Sequence, residues 1–198
     1  MLKQGAHSTP HRKVDRVSLD RAAAYEILDE ALICHVGFIA DGSPVVIPTI
    51  HWRIGDRLYF HGSHGSRMGQ TMAAGHAICV TATLLDGLVL ARSAFHHSMN
   101  FRSVVLFGKA WEIDDPSDKA IAFDALMAKM TPDRCTAIRP ANARELATTK
   151  LVALTIDEGS VKVRRGPPID SAEDIAWPVW AGVVPLALTP GTPVADKA

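Results

Sequence analysis

Short apolar segments, many of them rich in β-branched residues and separated by turn sequences, recur through most of the chain and constrain its fold more than any other feature. Short strands at close spacing, with few helices between them, predict an antiparallel, mainly β barrel or sandwich with flanking helices. Pro48 cannot donate to a strand ladder and predicts an edge or a bulge there. The Asp86-Gly87 dipeptide predicts a hairpin turn. The segments are LICHVGFIA (32–40), VVIPTIHW (45–52), RLYFHG (57–62), HAICVTATLL (76–85), LVLARSAF (88–95), SVVLFGKAWEI (103–113), KLVALTID (150–157) and SVKVRRG (160–166).

Three segments have helical patterns. Residues 18–31 begin with Ser18 as a plausible N-cap, and residues 66–75 end at Gly75. Residues 114–130 begin with Asp115 as a cap and Pro116 in the first turn. With no internal linker evident, we expect one domain over residues 15–188, a flexible lead over residues 1–14 and a flexible tail over residues 189–198.

The composition excludes several classes of protein. Lys plus Arg equals Asp plus Glu at 21 each among 198 residues, so no charge excess predicts binding to nucleic acid or to a membrane surface. The apolar runs are far shorter than the roughly 20 residues of a membrane span. The polar N-terminus lacks the apolar core of a signal peptide. Three widely spaced cysteines predict a reducing compartment, and we expect the cytoplasm.

The stretch FHGSHGSRM (60–68) is the first candidate site. Ser63, Ser66 and the backbone N–H groups near Gly62 and Gly65 can all donate to oxygen atoms, and Arg67 adds a charged donor. A helix that begins near Ser66 would direct its free N–H groups to the same point. This pattern predicts an anion site, specifically a phosphate site. The alternative is an ordinary serine-capped turn with a solvated arginine.

A second polar patch, residues 91–104, lies between two predicted strands, where loops often carry binding sites. A solvated connection is the alternative. The patch contains Arg92, His96, His97, Ser98, Asn100, Arg102 and Ser103.

Further along the chain, Trp177 and Trp180 flank Pro178 and predict a sealed core, a subunit interface, or a wall over a flat aromatic ring. No metal site is expected, because no cysteine accompanies the histidines and His-x-x-His is a weak pattern outside a helix. No catalytic residue is assigned, and the roles of His61, His64, His96 and His97 stay open.

Four segments resemble the pyridoxamine 5′-phosphate oxidase-like flavoproteins, in particular the flavin-nucleotide-binding branch related to the 5-nitroimidazole reductases. They are PVVIPTIHW, RLYFHGSHGSRM, TLLDGLVLARSAFHHSMNFRSVVLFGKAWEI and KVRRGPPID with PVWAGVVPL. The resemblance covers about residues 15 to 188. It implies a six-stranded antiparallel split β-barrel, FMN as the cofactor, and a homodimer with FMN at the subunit interface.

The resemblance also implies roles for individual residues. The strand around Thr49 lies along the isoalloxazine ring, His61 contacts the flavin, and Ser66 with Arg67 holds its phosphate. Members of the family usually have Lys after that arginine, where this chain has Met68, so Arg92, Arg102 or a partner-chain residue would have to supply the second cation. The candidate cofactor-binding residues are Pro48, Thr49, Ile50, His61, Gly62, Ser63, Ser66, Arg67, Asn100, Arg102 and Ser103.

The function implied is that of an FMN-binding oxidoreductase acting on an unidentified small molecule. A genuine pyridoxamine 5′-phosphate oxidase is not expected. The segment IRPANAREL keeps Arg139 and Pro140 but lacks the serine that follows them in the oxidases, and no Arg or His lies beyond Trp180. Two alternatives stay open: a non-catalytic flavin-binding or sensing module, and a haem-binding split-barrel protein.

Overall fold

The structure, a computed structural model, describes residues 1–10 and 14–196. It is mainly β with antiparallel sheets, which confirms the predicted fold class. The strands in the described residues are β1 (Val17–Ser18), β2 (Ile33–Ala40), β3 (Ser43–Ile50), β4 (Trp52–Ile54), β5 (Arg57–Ser63), β6 (Ala77–Leu90), β7 (Ser98–Lys109), β8 (Trp111–Ile113), β9 (Thr149–Thr155), β10 (Glu158–Arg164) and β11 (Gly182–Pro185). The α-helices are α1 (Arg21–Glu30), α2 (Arg67–Ala73), α3 (Pro116–Met130) and α4 (Ala143–Thr148).

The strands form two sheets. The first has the order β1-β10-β7-β6-β2-β3, with β11 also paired to β6, and the second has the order β4-β5-β9-β8. By compactness the chain divides into a first unit, residues 1–84 with 103–162, and a second unit, residues 85–102 with the chain from 163 onward. The two units are described separately below.

In the hairpin of β2 and β3 in the first unit, successive residues of each strand face opposite sides of the sheet, and only one side is buried. Cys34, Val36 and Phe38 are buried, whereas Ile39 and Val46 on the opposite face are exposed. Strand β3 is the edge strand of its sheet, which is where a proline is tolerated, as predicted from Pro48. The outer face of the hairpin is therefore apolar and accessible in the single chain.

Helix α3 covers the second sheet. Asp115 caps it by accepting hydrogen bonds from the backbone N–H groups of Ser117 and Asp118, and Pro116 occupies the first turn, as predicted. Its Ala122 and Leu126 are buried against the sheet. The core cluster under this helix consists of Trp52, Tyr59, Ile113, Ala122, Leu126, Leu151 and Ala153.

Helix α1 differs slightly from the prediction at its start. The helix begins at Arg21, and Asp20 is the N-cap, because its carboxylate accepts from the N–H of Ala22. The hydroxyl of Ser18 instead accepts from the N–H of Asp20, two residues further along the chain. At the other end, the ammonium group of Lys129 donates to the carbonyl oxygens of Leu28 and Ala31 and so caps the helix from α3.

The prediction of a hairpin at Asp86-Gly87 is wrong, because β6 runs straight through both residues. A Cβ atom on Gly87 would lie 3.0 Å from the Val183 side chain and 3.0 Å from the Val184 carbonyl oxygen. Glycine is needed here for the close approach of β11, and Asp86 forms an ion pair with Arg102. A long-range strand pairing has overridden the local turn signal.

The chain ends differ in their packing. In the first unit, Leu2 is buried and Lys3 forms an ion pair with Asp157, within the segment predicted to be a flexible lead. In the second unit, Trp177 and Trp180 are 67% and 63% exposed, so the prediction that they seal a core is wrong. No α-helix among the described residues combines the length and apolarity that crossing a membrane requires.

Candidate functional site

The candidate phosphate turn, residues 63–67, joins β5 to α2 in the first unit. The N–H of Ser66 donates to the Ser63 carbonyl oxygen over 2.9 Å, and the Ser66 hydroxyl caps the seven-residue helix by accepting from the Gly69 N–H over 3.3 Å. Within the part of the chain that the structure describes, the exposed guanidinium of Arg67 has no hydrogen-bond or ion-pair partner. The turn therefore presents two serine hydroxyls and one unpaired cation at the surface.

Two glycines let this turn pack closely. A Cβ atom on Gly62 would lie 3.4 Å from the Ser66 side chain, and one on Gly69 would lie 3.2 Å from the Lys150 side chain. Lys150 is the β9 residue opposite Gly62, and its ammonium forms an ion pair with Glu112. Met68, at the position where the family usually has Lys, is buried. Lys150 is thus the cation that lies beside the turn.

His61 precedes the turn on β5 and is surrounded by aromatic rings. Its ring centroid lies 5.7 Å from that of Trp52 and 5.9 Å from that of Phe123, the latter in an edge-to-face arrangement. Its Nδ1 atom is buried with no hydrogen-bond partner among the described residues. Burial lowers the pKa of His61, so the imidazole is neutral at physiological pH. A neutral imidazole with a free ring nitrogen can ligate a metal ion or donate to a cofactor.

The other predicted residues of the first unit lie on two strands. Pro48 and Thr49 pair with His35 and Cys34 on β2, and Ile50 packs against the same core cluster as Trp52. The β7 residue Ser103 donates from its hydroxyl to the Lys162 carbonyl oxygen over 3.4 Å. His61, Gly62, Ser63, Ser66 and Arg67 form one continuous cluster, and Ile50 adjoins it through Trp52.

The remaining predicted residues belong to the second unit and are engaged there. The Asn100 amide donates to the Gly166 carbonyl oxygen over 3.2 Å and accepts from Arg164. Arg102 is paired with Asp86, with a closest N–O distance of 2.8 Å. Arg92, proposed as a replacement cation, is paired with the buried carboxylate of Asp170 at 2.8 Å.

The histidines that the structure describes do not form a polydentate metal site. Among the described residues, no group of three or more His, Cys, Asp or Glu side chains is placed to hold a metal ion. His64 uses Nε2 in a hydrogen bond with the Ala147 carbonyl, and His96 and His97 use Nδ1 toward Ser93.

A family profile described as pyridoxamine 5′-phosphate oxidase matches residues 20–163, which is most of the chain. The chain belongs to this family. The match includes β2 through β9 and nearly all of β10, so it covers the turn at Ser63–Arg67, the second sheet and most of the first sheet. No curated protein matches the sequence.

Several solved structures of family relatives are similar to this chain. The flavocytochrome Anf3 from Azotobacter vinelandii is 39% identical with a TM-score of 0.91, and the match covers 98% of this chain and 90% of that protein. The FAD and heme binding protein from Mycobacterium smegmatis is 38% identical with a TM-score of 0.88, over 92% of this chain and 89% of that protein. A 5-nitroimidazole antibiotic resistance protein from Bacteroides thetaiotaomicron is 26% identical with a TM-score of 0.61, over 74% and 86%.

Sequence reasoning missed three residues of the site. Trp52 and Phe123, which enclose His61, come from β4 and α3, and Lys150 comes from β9. Each reaches the cluster only through tertiary packing or strand register. The sequence carried no local signal for these contacts.

Proposed function

We propose that the chain is a redox protein that binds a flavin nucleotide and a haem group. The observation that carries this proposal is the similarity to two relatives described as a flavocytochrome and as an FAD and haem binding protein, at 39% and 38% identity over 98% and 92% of the chain. A bound flavin supplies one- and two-electron chemistry and a haem iron one-electron chemistry, while the protein positions both.

The turn at Ser63, Ser66 and Arg67 fits the phosphate of the flavin. Its hydroxyls and free guanidinium are the donor set that a phosphate needs, and a charge-assisted contact from Arg is frequently bidentate. Pro48, Thr49 and Ile50 would lie along the ring. The resemblance implied FMN, whereas the name of the Mycobacterium smegmatis relative favours FAD, whose pyrophosphate can use the same donors.

His61 fits the haem iron. It is neutral, and its Nδ1 is buried without a hydrogen-bond partner among the described residues, whereas His64, His96 and His97 each use one ring nitrogen in a hydrogen bond. The rings of Trp52 and Phe123 supply apolar surface next to the half-buried imidazole, which is the environment that a haem needs beside its ligand.

The substrate we propose is a small molecule other than pyridoxamine 5′-phosphate. Arg139, which the oxidases would use for that substrate, donates both terminal nitrogens to the carboxylate of Glu145. We further propose a homodimer with the flavin at its interface, supported by the exposed apolar residues Ile39 and Val46. The three free cysteines agree with a reducing compartment such as the cytoplasm.

The absorption spectrum of the purified protein tests the proposal. We expect both a flavin band and a Soret band, and release of the flavin by denaturation followed by chromatography distinguishes FAD from FMN. Bleaching of the flavin band by NADH or NADPH, followed by recovery on adding an acceptor, would separate an oxidoreductase from a passive flavin-binding or sensing module. A protein that takes up neither cofactor on addition would contradict the proposal.

The variant His61→Ala isolates the role of His61 as the iron ligand. It should lose the haem spectrum and keep the flavin, and free imidazole should restore a haem spectrum by occupying the vacated position. His64→Ala is the matched control, because that ring lies in the adjacent turn and its Nε2 hydrogen-bonds the Ala147 carbonyl. Equal haem content in both variants would exclude His61 as the ligand.

A further inference from the structure

A cavity of about 750 Å³ lies in the first unit between α3, the segment 135–141 and the start of α4. It has the size of a small-molecule site, since such sites are clefts of about 300–1,000 Å³ with mainly apolar walls. The described residues that line it include neither His61 nor any residue of the candidate phosphate turn, so it is a different site from the one proposed for the cofactors. The lining residues are Ala120, Phe123, Asp124, Met127, Cys135, Thr136, Ile138, Arg139, Pro140, Ala141 and Glu145.

One face of α3 forms a wall of the cavity. The residues of α3 that line the cavity recur at spacings of three and four, which places them on the same side of the helix. They are Ala120, Phe123, Asp124 and Met127. A ligand in the cavity therefore has an apolar helix face to pack against and a carboxylate beside it.

Asp124 is the charged group of this wall that is available to a ligand. The residue is exposed, and its carboxylate has no hydrogen-bond or ion-pair partner within the described part of the chain. An unpaired carboxylate attracts an ammonium group through a charge-assisted hydrogen bond and repels an anion.

The other two charged groups of the lining are paired with each other. Arg139 donates to the two Glu145 oxygens over 2.9 and 2.6 Å and lowers the pKa of this carboxyl to about 2. The Asn142 N–H donates to the same carboxylate as part of the cap of α4. An anionic ligand would have to take Arg139 away from Glu145, and the lining has two carboxylates for one guanidinium.

We infer that this cavity binds a small apolar amine, with the ammonium group at Asp124 and the apolar body against Phe123, Met127 and Ile138. Phosphate esters and carboxylates are disfavoured, because the guanidinium of the lining is committed to Glu145. The inference goes beyond the proposed function, because it concerns a ligand that is neither flavin nor haem and that needs neither of them in order to bind.

The first test compares three probes that share one apolar body and differ in charge. At neutral pH, naphthylmethylamine is cationic, naphthalenemethanol is neutral and naphthoate is anionic. Isothermal titration of the protein as purified should give the tightest binding for the amine and the weakest for naphthoate. We expect about three- to fivefold between the amine and the alcohol, as for a solvent-exposed ion pair. Equal affinities, or tightest binding of naphthoate, would contradict the inference.

The variant Asp124→Asn tests whether this carboxylate causes the preference. It should bind the amine and the alcohol equally, because the amide has nearly the same size and no charge. Glu26→Gln is the matched control, since it removes an exposed carboxylate of α1 outside the cavity, and it should keep the wild-type preference. The assignment to Asp124 is wrong if Asp124→Asn keeps the preference or if both variants lose it.

Thiol alkylation tests whether the amine occupies this cavity. Cys135 lines the cavity and is partly exposed, whereas Cys79 is partly exposed on β6 and lines a different groove. Bound naphthylmethylamine should slow the alkylation of Cys135 by N-ethylmaleimide and leave that of Cys79 unchanged, as measured by peptide mass spectrometry. Equal rates at Cys135 with and without saturating amine would show that the amine binds elsewhere.

Filling the cavity is an independent test of the location. Ala120→Trp places an indole in the cavity, and Ala128→Trp, at an exposed position of the same helix, is the matched control. We expect Ala120→Trp to weaken amine binding at least about tenfold, equivalent to about 1.4 kcal/mol, and Ala128→Trp to bind as wild type. Circular dichroism reports whether both variants are folded, and the alkylation of Cys135 in wild type decides the question if Ala120→Trp is not. Wild-type affinity in a folded Ala120→Trp would overturn the assignment.

The outcomes distinguish this inference from the proposed function. If the protein takes up neither cofactor but the amine binds and protects Cys135, the proposed function fails and the cavity assignment stands. If the cofactors bind but the amine does not protect Cys135, the cavity assignment is wrong and the proposed function stands. If the amine displaces flavin or haem, as seen in the absorption spectrum, the cavity belongs to a cofactor and the inference is wrong.

Discussion

His51 is a buried residue whose charge state affects the stability of the fold. It is fully buried, it hydrogen-bonds the Leu28 carbonyl through Nε2, and its Nδ1 has no partner among the described residues. Burial, and secondarily the nearby Lys129, lowers its pKa from 6.5 to about 4. The folded protein therefore holds a neutral imidazole where the unfolded chain would take up a proton.

This difference predicts acid sensitivity. Because the folded pKa lies below the unfolded one, the contribution to stability is present above pH 6.5 and is lost as the pH falls toward 4. The loss amounts to roughly 3–4 kcal/mol at most, at about 1.4 kcal/mol for each unit of pKa difference. Urea unfolding between these pH values should show a smaller pH dependence in His51→Gln, which keeps a donor and does not titrate. An identical pH dependence in the two proteins would contradict the assignment to His51.

At the scale of elements, α3 holds its neighbours through buried lysines. Lys129 donates to the carbonyl oxygens of Leu28, Ala31 and His51 over 2.7 to 3.0 Å, and Lys119 donates to those of Leu146 and Thr149. Burial lowers the pKa of Lys129, because its ammonium is partly shielded from water. The three carbonyl oxygens replace part of its hydration. One helix thus fixes the end of α1 and the end of α4.

Removing the Lys129 ammonium should destabilise the protein. Lys129→Met keeps the apolar stem but removes the donor to the Ala31 and His51 carbonyl oxygens and leaves that of Leu28 with His51 Nε2 alone. We expect a loss of about 2–4 kcal/mol in the free energy of unfolding. Hydrogen exchange in the last turn of α1 should accelerate with it. The control is Lys162→Met, because that side chain is exposed on β10. Equal losses in the two variants would argue against the capping role.

Elements with local signals were predictable from the sequence, and elements that depend on distant partners were not. The start of α3 follows from Asp115 and Pro116, which act on their own neighbours. The strand through Asp86 and Gly87 was mistaken for a turn because its partner β11 lies near the end of the chain. The same distinction holds for the candidate site. The turn at Ser63–Arg67 could be predicted from the local sequence. The rings around His61 and the position of Lys150 could not, because they depend on tertiary packing and on the register of β9.

At the scale of the whole molecule, the single chain exposes a large apolar surface. On the outer face of the β2–β3 hairpin, Ile33, Ile39 and Val46 are 54%, 62% and 63% exposed, and the hairpin also borders an apolar groove lined by Ile78 and Phe107. Contiguous apolar patches of this kind on soluble proteins usually mark interaction sites. Pro48, predicted to lie along the flavin ring, belongs to the same hairpin face.

A charge on this face should therefore disrupt the proposed homodimer and its flavin site together. Val46→Lys would bury an unpaired ammonium at the interface, which costs several kcal/mol in an interface of about 800 Å² per partner. Light scattering should then give the monomer mass, and the flavin content should fall, because in the proposed dimer part of each site would come from the other chain. Ile121→Lys is the matched control, since Ile121 on α3 is 61% exposed and lies outside the hairpin. Wild-type mass and full flavin content in Val46→Lys would show that the hairpin face is not the interface. If the wild-type protein is a monomer with flavin bound, the proposal of a flavin site shared between two chains is wrong.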